Sequence, residues 1–224
     1  MMLGTGQARK KIVGARRSQG ERSATSRQRL LTAAAAEFAA RGFAGANVDR
    51  IARAARVNKA MIYYHFKSKA ALYREILRDM FEAVALRVSA ATDAPAEPAD
   101  KVRAFVDAIA IEAEARPHFP PIWFREIAEG GAHLDQTTIA NITAIIKALG
   151  RIVHEGRAAG RFQAVNPILV HAGIVGPLLL YFASGSLRRR LERGGVPGAS
   201  MVSRDEVVAH VQRVALMALE GRTA

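Results

Sequence analysis

Lys59, Ala60, Met61, Tyr63 and Tyr64 form a short run whose side chains could do chemistry on a nucleic-acid duplex. Lys59 can donate to guanine acceptors or to phosphate, and the hydroxyls of Tyr63 and Tyr64 reach phosphates. The small Ala60 and flexible Met61 let a helix approach a thymine methyl. At helical spacing Lys59, Ala60, Tyr63 and Tyr64 share one outward face while Ile62 turns to the core. The competing reading is a solvated helix on which the two tyrosines cover core edges. Adjacent exposed tyrosines inside a basic segment favour nucleic acid.

Such a helix needs a second one to set its angle, and the residues from Asn47 to Lys69 supply a helix, a three-residue turn and a helix. Asn47 can cap the first helix, which carries Val48, Ile51, Ala52 and Ala55. Ala52 gives the small contact that a steep crossing requires, sealed by Ile51, Val57 and Ile62. Asn58 can cap the second helix, and Ser68 a long following one. Before them, Leu30, Leu31, Ala34, Ala35, Phe38 and Ala39 recur at three- and four-residue spacing, with Gly42 as a stop.

Charge follows the same division. Residues 1–74 hold 16 basic and 3 acidic side chains, net +13, and the remaining chain holds 17 of each in a total of 224 residues. A basic module joined to a neutral body fits a polyanion binder. A basic membrane-surface arm gives the same arithmetic. We read residues 1–24 as a flexible basic arm, 25–70 as a helix-turn-helix domain and 71–224 as a helical body.

Other chemistries lack their residues. With no cysteine there are no disulfides, thiolate metal sites or cysteine nucleophiles, and a cytoplasmic location is the default. There is no G-x-S-x-G elbow, phosphate-binding glycine loop, dinucleotide fingerprint or H-E-x-x-H pattern. Glu112 and Glu114 fall on different helix faces and make no acid/base pair. None of His118, His133, His154 and His171 has another histidine at i, i+4, so no metal is expected, although His118 and His133 could meet in space. No enzyme, cofactor or metal is therefore expected. Residues 162–187 carry no charge and exceed the roughly 20 residues of a membrane helix. Gln163, Asn166, Pro167, His171 and Pro177 interrupt that run, which reads better as a buried and partner-covered helix.

In the body we expect helices at 100–115, 121–129, 134–159, 167–184 and 203–220, opened in part by Pro121, Pro167 and a Ser203/Glu206 capping box. The chain is thus all-α, with about nine helices and no strand pattern longer than four residues.

The run Gly42, Phe43, Asn47, Val48, Ile51, Ala52, Ala55, Val57, Asn58, Ile62, Tyr63, Tyr64, His65, Phe66, Lys67, Ser68, Lys69, Leu72 and Tyr73 resembles the N-terminal signature of the TetR family of bacterial transcriptional regulators. The resemblance is specific over residues 30–77; beyond, only the helix count agrees. It implies a DNA-facing set that begins with Asn47 and Val48. Lys59, Ala60 and Met61 take base-reading positions, Tyr63, Tyr64 and His65 touch backbone or bases, and Lys69 binds phosphate. Asn47 replaces the usual Thr or Ser cap. Arg56 stands where a turn glycine is common, at a strain of about 1 kcal/mol that another phosphate contact could offset.

The resemblance also implies a body that dimerises and holds a small-molecule pocket. Dimerisation has its own support, since two half-sites about 34 to 36 Å apart need two reading heads. The helices at 167–184 and 203–220 are the interface candidates. Phe105, Ile109, Trp123, Phe124, Ile127, Ile142, Ile146, Leu149 and His171 are the pocket candidates, for a small, largely apolar effector. The expected function is a homodimeric, ligand-responsive regulator, a repressor released from a double-stranded operator by its effector. The alternatives are a constitutive dimeric DNA-binding protein and a regulator anchored to a membrane by residues 162–187.

Overall fold

The computed structural model describes residues 5–221, with side chains from Ala24 onward. It holds ten helices and, among the described residues, no strand: α1 (Thr5–Gly45), α2 (Val48–Ala55), α3 (Ala60–Phe66), α4 (Lys69–Thr92), α5 (Pro98–Ala115), α6 (Phe119–Ala128), α7 (Gln136–Ala158), α8 (Pro167–Ala183), α9 (Gly185–Arg193) and α10 (Arg204–Glu220). The chain forms two compact units, Met1–Ile76 and Leu77–Ala224.

Two expectations need correction. The stretch expected to be a flexible arm is helical from Thr5, the remaining residues 1–4 lying outside the described ones. Its Ala, Arg, Lys, Gln and Glu content favours helix intrinsically, and no proline precedes Pro95 to break it. The tenth helix, α9, occupies a stretch read as connection. Leu187 and Leu191 stand one turn apart among arginines, and no residue of α9 is buried. Its periodicity is too short, and its charge too dense, to signal a core-facing helix.

In the first unit α1 is interrupted at Gly42, whose φ of 69° and ψ of 175° leave the helical region that a side-chain-bearing residue would keep. The break turns the chain toward α2. Leu30, Ala34 and Phe38 of α1 pack with Ile51, Ile62, Leu72 and Tyr73, all 1% exposed or less. The Phe38 ring lies 4.6 Å from Tyr73 and 6.2 Å from Phe43, an aromatic wedge at the centre of the unit.

In the second unit α8 lies among α5, α6, α7 and α10. Pro167 starts it and the Asn166 side chain accepts from the backbone N–H of Ile168, so the observed start matches the expected one. Ser203 and Glu206 form the expected capping box on α10. The loop after α7 folds back tightly: a Cβ at Gly156 would fall 2.0 Å from the Phe162 ring. Gln163 then donates its N–H to Leu219 O at 2.7 Å and its amide to Ala218 O at 2.8 Å, tying this loop to the end of α10. Buried Glu112 accepts from both Arg87 and Arg116, which satisfies a carboxylate that burial would otherwise penalise. Among the described residues no single helix is long and apolar enough to cross a membrane. α8 and α9 reach that length only together, and they are bent by 64°.

Candidate nucleic-acid interface

The first unit builds its exposed face from local rules. Asn47 is extended (φ −121°, ψ 125°) and its side-chain oxygen accepts from Asp49 N at 2.7 Å, starting α2. Glu37 of α1 accepts from Asn47 N at 3.1 Å and from the Arg50 guanidinium at 2.6 Å, which fastens α2 to α1. The Arg50 hydrogen bond is the main reason the Glu37 carboxyl sits below its ordinary range, against the opposing effect of burial.

The turn follows at Arg56, whose φ of 53° and ψ of 48° place a non-glycine residue in the left-handed region. Val57 N donates to Ala52 O at 3.0 Å, and the Asn58 side chain accepts from Ala60 N at 2.8 Å to launch α3. Ile51, Ala52 and Ile62 meet beneath this turn, buried to 4% exposure or less. Ser68 Oγ accepts from Ala71 N at 3.0 Å and begins α4.

The outward face at α3 carries Ala60, Tyr63 and Tyr64, led by Lys59 at the cap position just before the helix, with the tyrosines 45% and 67% exposed. Met61 and His65 are half-buried. His65 stands edge-on to Tyr64 at 5.0 Å, and its Nε2 is buried with no hydrogen-bond partner. Desolvation first, and the nearby Arg27 charge second, push the imidazole below its ordinary value, so it is neutral near pH 7. Arg56 is exposed and shares a shallow depression with Gln28, Arg29 and Thr32.

Lys69, for which the resemblance implies a phosphate contact, is held by the end of α1. Its ammonium donates to Ala46 O at 2.8 Å and Ala44 O at 3.3 Å, and lies 4.8 Å from the centre of the Phe43 ring. Carbonyls at and just past the end of α1 need donors, and Lys69 supplies one to Ala44 and to Ala46. Sequence reasoning also missed Asp49, whose carboxylate lies 2.9 Å from the Lys59 ammonium. That hydrogen bond is the main cause that raises the Lys59 ammonium above its ordinary value. The available signal was an acid in the first turn of one helix and a lysine just before the next.

The body spreads its candidates. Phe105, Ile109 and Leu149 are sealed in the core, at 3% exposure or less, because they sit on the inward faces of α5 and α7. Phe124 and Ile127 are exposed at the far side of α6. Trp123, Ile142, Ile146 and His171 are half-buried, with Trp123 edge-on to Phe81 at 4.8 Å. None of the nine lines the groove of about 780 Å³ on α4 and α5, which presents Leu86, Ile111, Arg87 and Arg116. Nor do they line the apolar groove of about 450 Å³ that Leu169, Val170 and Gly173 of α8 form with Val214, Ala215 and Ala218 of α10. Of the histidines, His133 Nδ1 lies 2.9 Å from buried Glu126 and 3.6 Å from Glu129, closing the corner after α6.

Comparison with known proteins agrees with this geometry. Residues 30–76 match the model of bacterial regulatory proteins of the tetR family. Residues 98–194 match the tetracyclin repressor-like C-terminal domain. The HTH-type transcriptional repressor SCO4008 of Streptomyces coelicolor is 34% identical over 106 residues, 47% of this chain and 52% of that one. The chain therefore spans about half the length of that relative. The HTH-type transcriptional repressor NicS of Pseudomonas putida is 28% identical over 173 residues, 75% of this chain and 79% of its own. The fold matches a tetR-family bacterial regulatory protein from Rhodococcus RHA1 with a TM-score of 0.70, at 18% identity, over 87% of this chain and 96% of that one.

Proposed function

The chain belongs to the tetR family of bacterial transcriptional regulators, whose members are regulators rather than enzymes, and we propose that it is a homodimeric repressor released from its operator by a small, largely apolar effector. The observation that carries this reading is the α3 face. Lys59 at the cap and Ala60, Tyr63 and Tyr64 behind it stand exposed together at a helix whose angle is fixed by the buried Ile51, Ala52 and Ile62. The two relatives described above are both named as repressors, which supports that sign of regulation.

In this reading two copies of α3 enter successive major grooves, with Asn47, Val48, Arg56 and Met61 completing the contact and His65 stiffening the helix from behind. Lys69 supports α1 and reaches phosphate only where its carbonyl contacts open. Dimerisation falls to α8 and α10, where Ile168, Leu169, Leu180 and Val214 are between 46% and 71% exposed. Among the effector candidates, Trp123, Ile142, Ile146 and His171 keep that role, being neither sealed in the core nor fully exposed. Burial holds the His171 imidazole neutral, a polar handle suited to an apolar ligand. Release then requires an effector that binds the two dimer geometries with different affinity. Such a protein acts where the chromosome is, in the cytoplasm.

The test is recovery of genomic fragments by the full-length protein, followed by duplex titration of the recovered sequences with wild type and Leu169→Glu. Tight binding to a two-fold-symmetric sequence, lost together with the dimer in Leu169→Glu, is the expected outcome. Binding by a monomer, or no preference among fragments, would overturn it.

A further inference from the structure

Asp49 stands on α2, ten residues before Lys59, and its two carboxylate oxygens lie 2.9 and 3.0 Å from the Lys59 ammonium. The carboxylate starts from a fixed point, because the backbone N–H of Asp49 donates to the Asn47 cap. Both side chains are about half exposed, 53% and 46%, so the pair stands at the mouth of α3 and not in the core. The other acids described in this unit, Glu37 and Glu75, pair with Arg50 and Arg27. Asp49 is therefore the carboxylate turned to the lysine that leads the exposed face.

An exposed ion pair of this kind contributes little to folding stability. A carboxylate beside phosphates also opposes binding to a duplex. Its effect must fall on Lys59. A lysine ammonium on a flexible four-carbon stem can find a phosphate almost anywhere along a duplex, whatever the sequence. Held by both oxygens of Asp49, the same ammonium is neutralised and kept in one place.

We infer that Asp49 is a positioning residue that sets sequence discrimination: it restrains Lys59 from indiscriminate phosphate contact and releases it where guanine O6 and N7 lie beneath the start of α3. The freed carboxylate can then accept from a neighbouring cytosine N4 amine, so the pair favours G·C steps over A·T at that position. This rests on the reading of α3 as the duplex-reading helix.

The experiment uses the full-length protein with two duplexes, one that it selects from a random-sequence library and one scrambled from it. Each is titrated over a range of salt with wild type, Asp49→Asn, Lys59→Met and the double variant, at matched thermal midpoints. Asp49→Asn should bind the scrambled duplex roughly 2- to 5-fold more tightly. Its plot of log affinity against log salt should steepen by about 0.9, one phosphate contact. Preference for the selected duplex should fall by a similar factor, all three changes should vanish in the Lys59→Met background, and Asp49→Glu should keep the wild-type slope. Equal gains with and without Lys59 would reduce Asp49 to a bulk charge and overturn the inference. A silent Asp49→Asn beside a weakening Lys59→Met would also overturn it, while leaving α3 as the reader. If Lys59→Met changes binding to neither duplex, the reading of α3 fails as well.

Discussion

In the unit that ends at Ile76, the large apolar side chains that stand exposed are, among the described residues, Tyr63 and Tyr64; in the unit from Leu77 they include Ile168, Leu169, Leu180, Leu187 and Met201. The first unit shows solvent amphipathic rings with a hydroxyl at the tip, beside a large excess of basic residues. The second shows bare hydrocarbon on a chain segment whose charges nearly cancel. A polyanion rewards the first surface, because its affinity comes from displaced counterions and placed donors. Only another apolar surface rewards the second. One chain thus carries two partner chemistries, each on its own compact unit.

The strongest way to break this comparison is to unfold one unit and watch the other. Phe38→Ala empties the aromatic wedge of the first unit and should cost about 3–5 kcal/mol. Phe105→Ala should cost the second unit a similar amount. Calorimetry with light scattering should find Phe38→Ala without duplex binding yet still dimeric, and Phe105→Ala impaired in assembly. A single transition lost as a whole in both variants would mean that the units are one cooperative body.

A smaller effect sharpens the charge side of the comparison. Arg56→Gly removes a left-handed strain of about 1 kcal/mol, so stability should hold or rise slightly. If Arg56 contacts phosphate, the salt dependence of duplex affinity should flatten by about 0.9. An unchanged slope assigns Arg56 to the turn alone.

The smallest effect is on acidification. His65 is held below its ordinary value of 6.5 in the folded unit, mainly by burial. Between its folded and unfolded values the unfolded chain binds more protons, so stability rises with pH there. The contribution is complete above about pH 6.5 and is lost as pH falls through the folded value. Thermal melts of wild type and His65→Leu at pH 7.5 and 5.5 should show a shallower pH dependence in the variant. Parallel dependence would assign the acid loss elsewhere, with His118 and His171, both also lowered chiefly by burial, the next groups to replace.

How much of this was legible follows from the range of the interactions. Asn47, Asn58, Ser68 and Ser203 cap helices because each oxygen reaches a backbone N–H two or three residues on, a local rule that spacing reveals. The exposed face of α3 was legible for the same reason, since helical periodicity fixes which side chains share a face. Lys69 was not, because the carbonyls that hold its ammonium lie more than 20 residues earlier in the chain. The Asp49–Lys59 pair crosses from one helix to the next, and only the crossing angle brings its atoms together. The effector candidates scattered because Phe105 and Leu149 carry the same apolar character whether a residue lines a cavity or fills a core. Composition does not tell these fates apart. α9 escaped because two leucines among arginines describe a surface helix and a solvated loop equally well.

Gly156 sets a rule for how this body can change from one generation to the next. Its missing side chain is the space that the Phe162 ring fills, with no room for even one added carbon. A replacement at either position alone leaves a collision or a void, so a change at one calls for a compensating change at the other. The exposed side chains of α9, Leu187 and Leu191 among them, take no part in that coupling. New partners can therefore be acquired there, step by step, while the seam beneath them stays as it is.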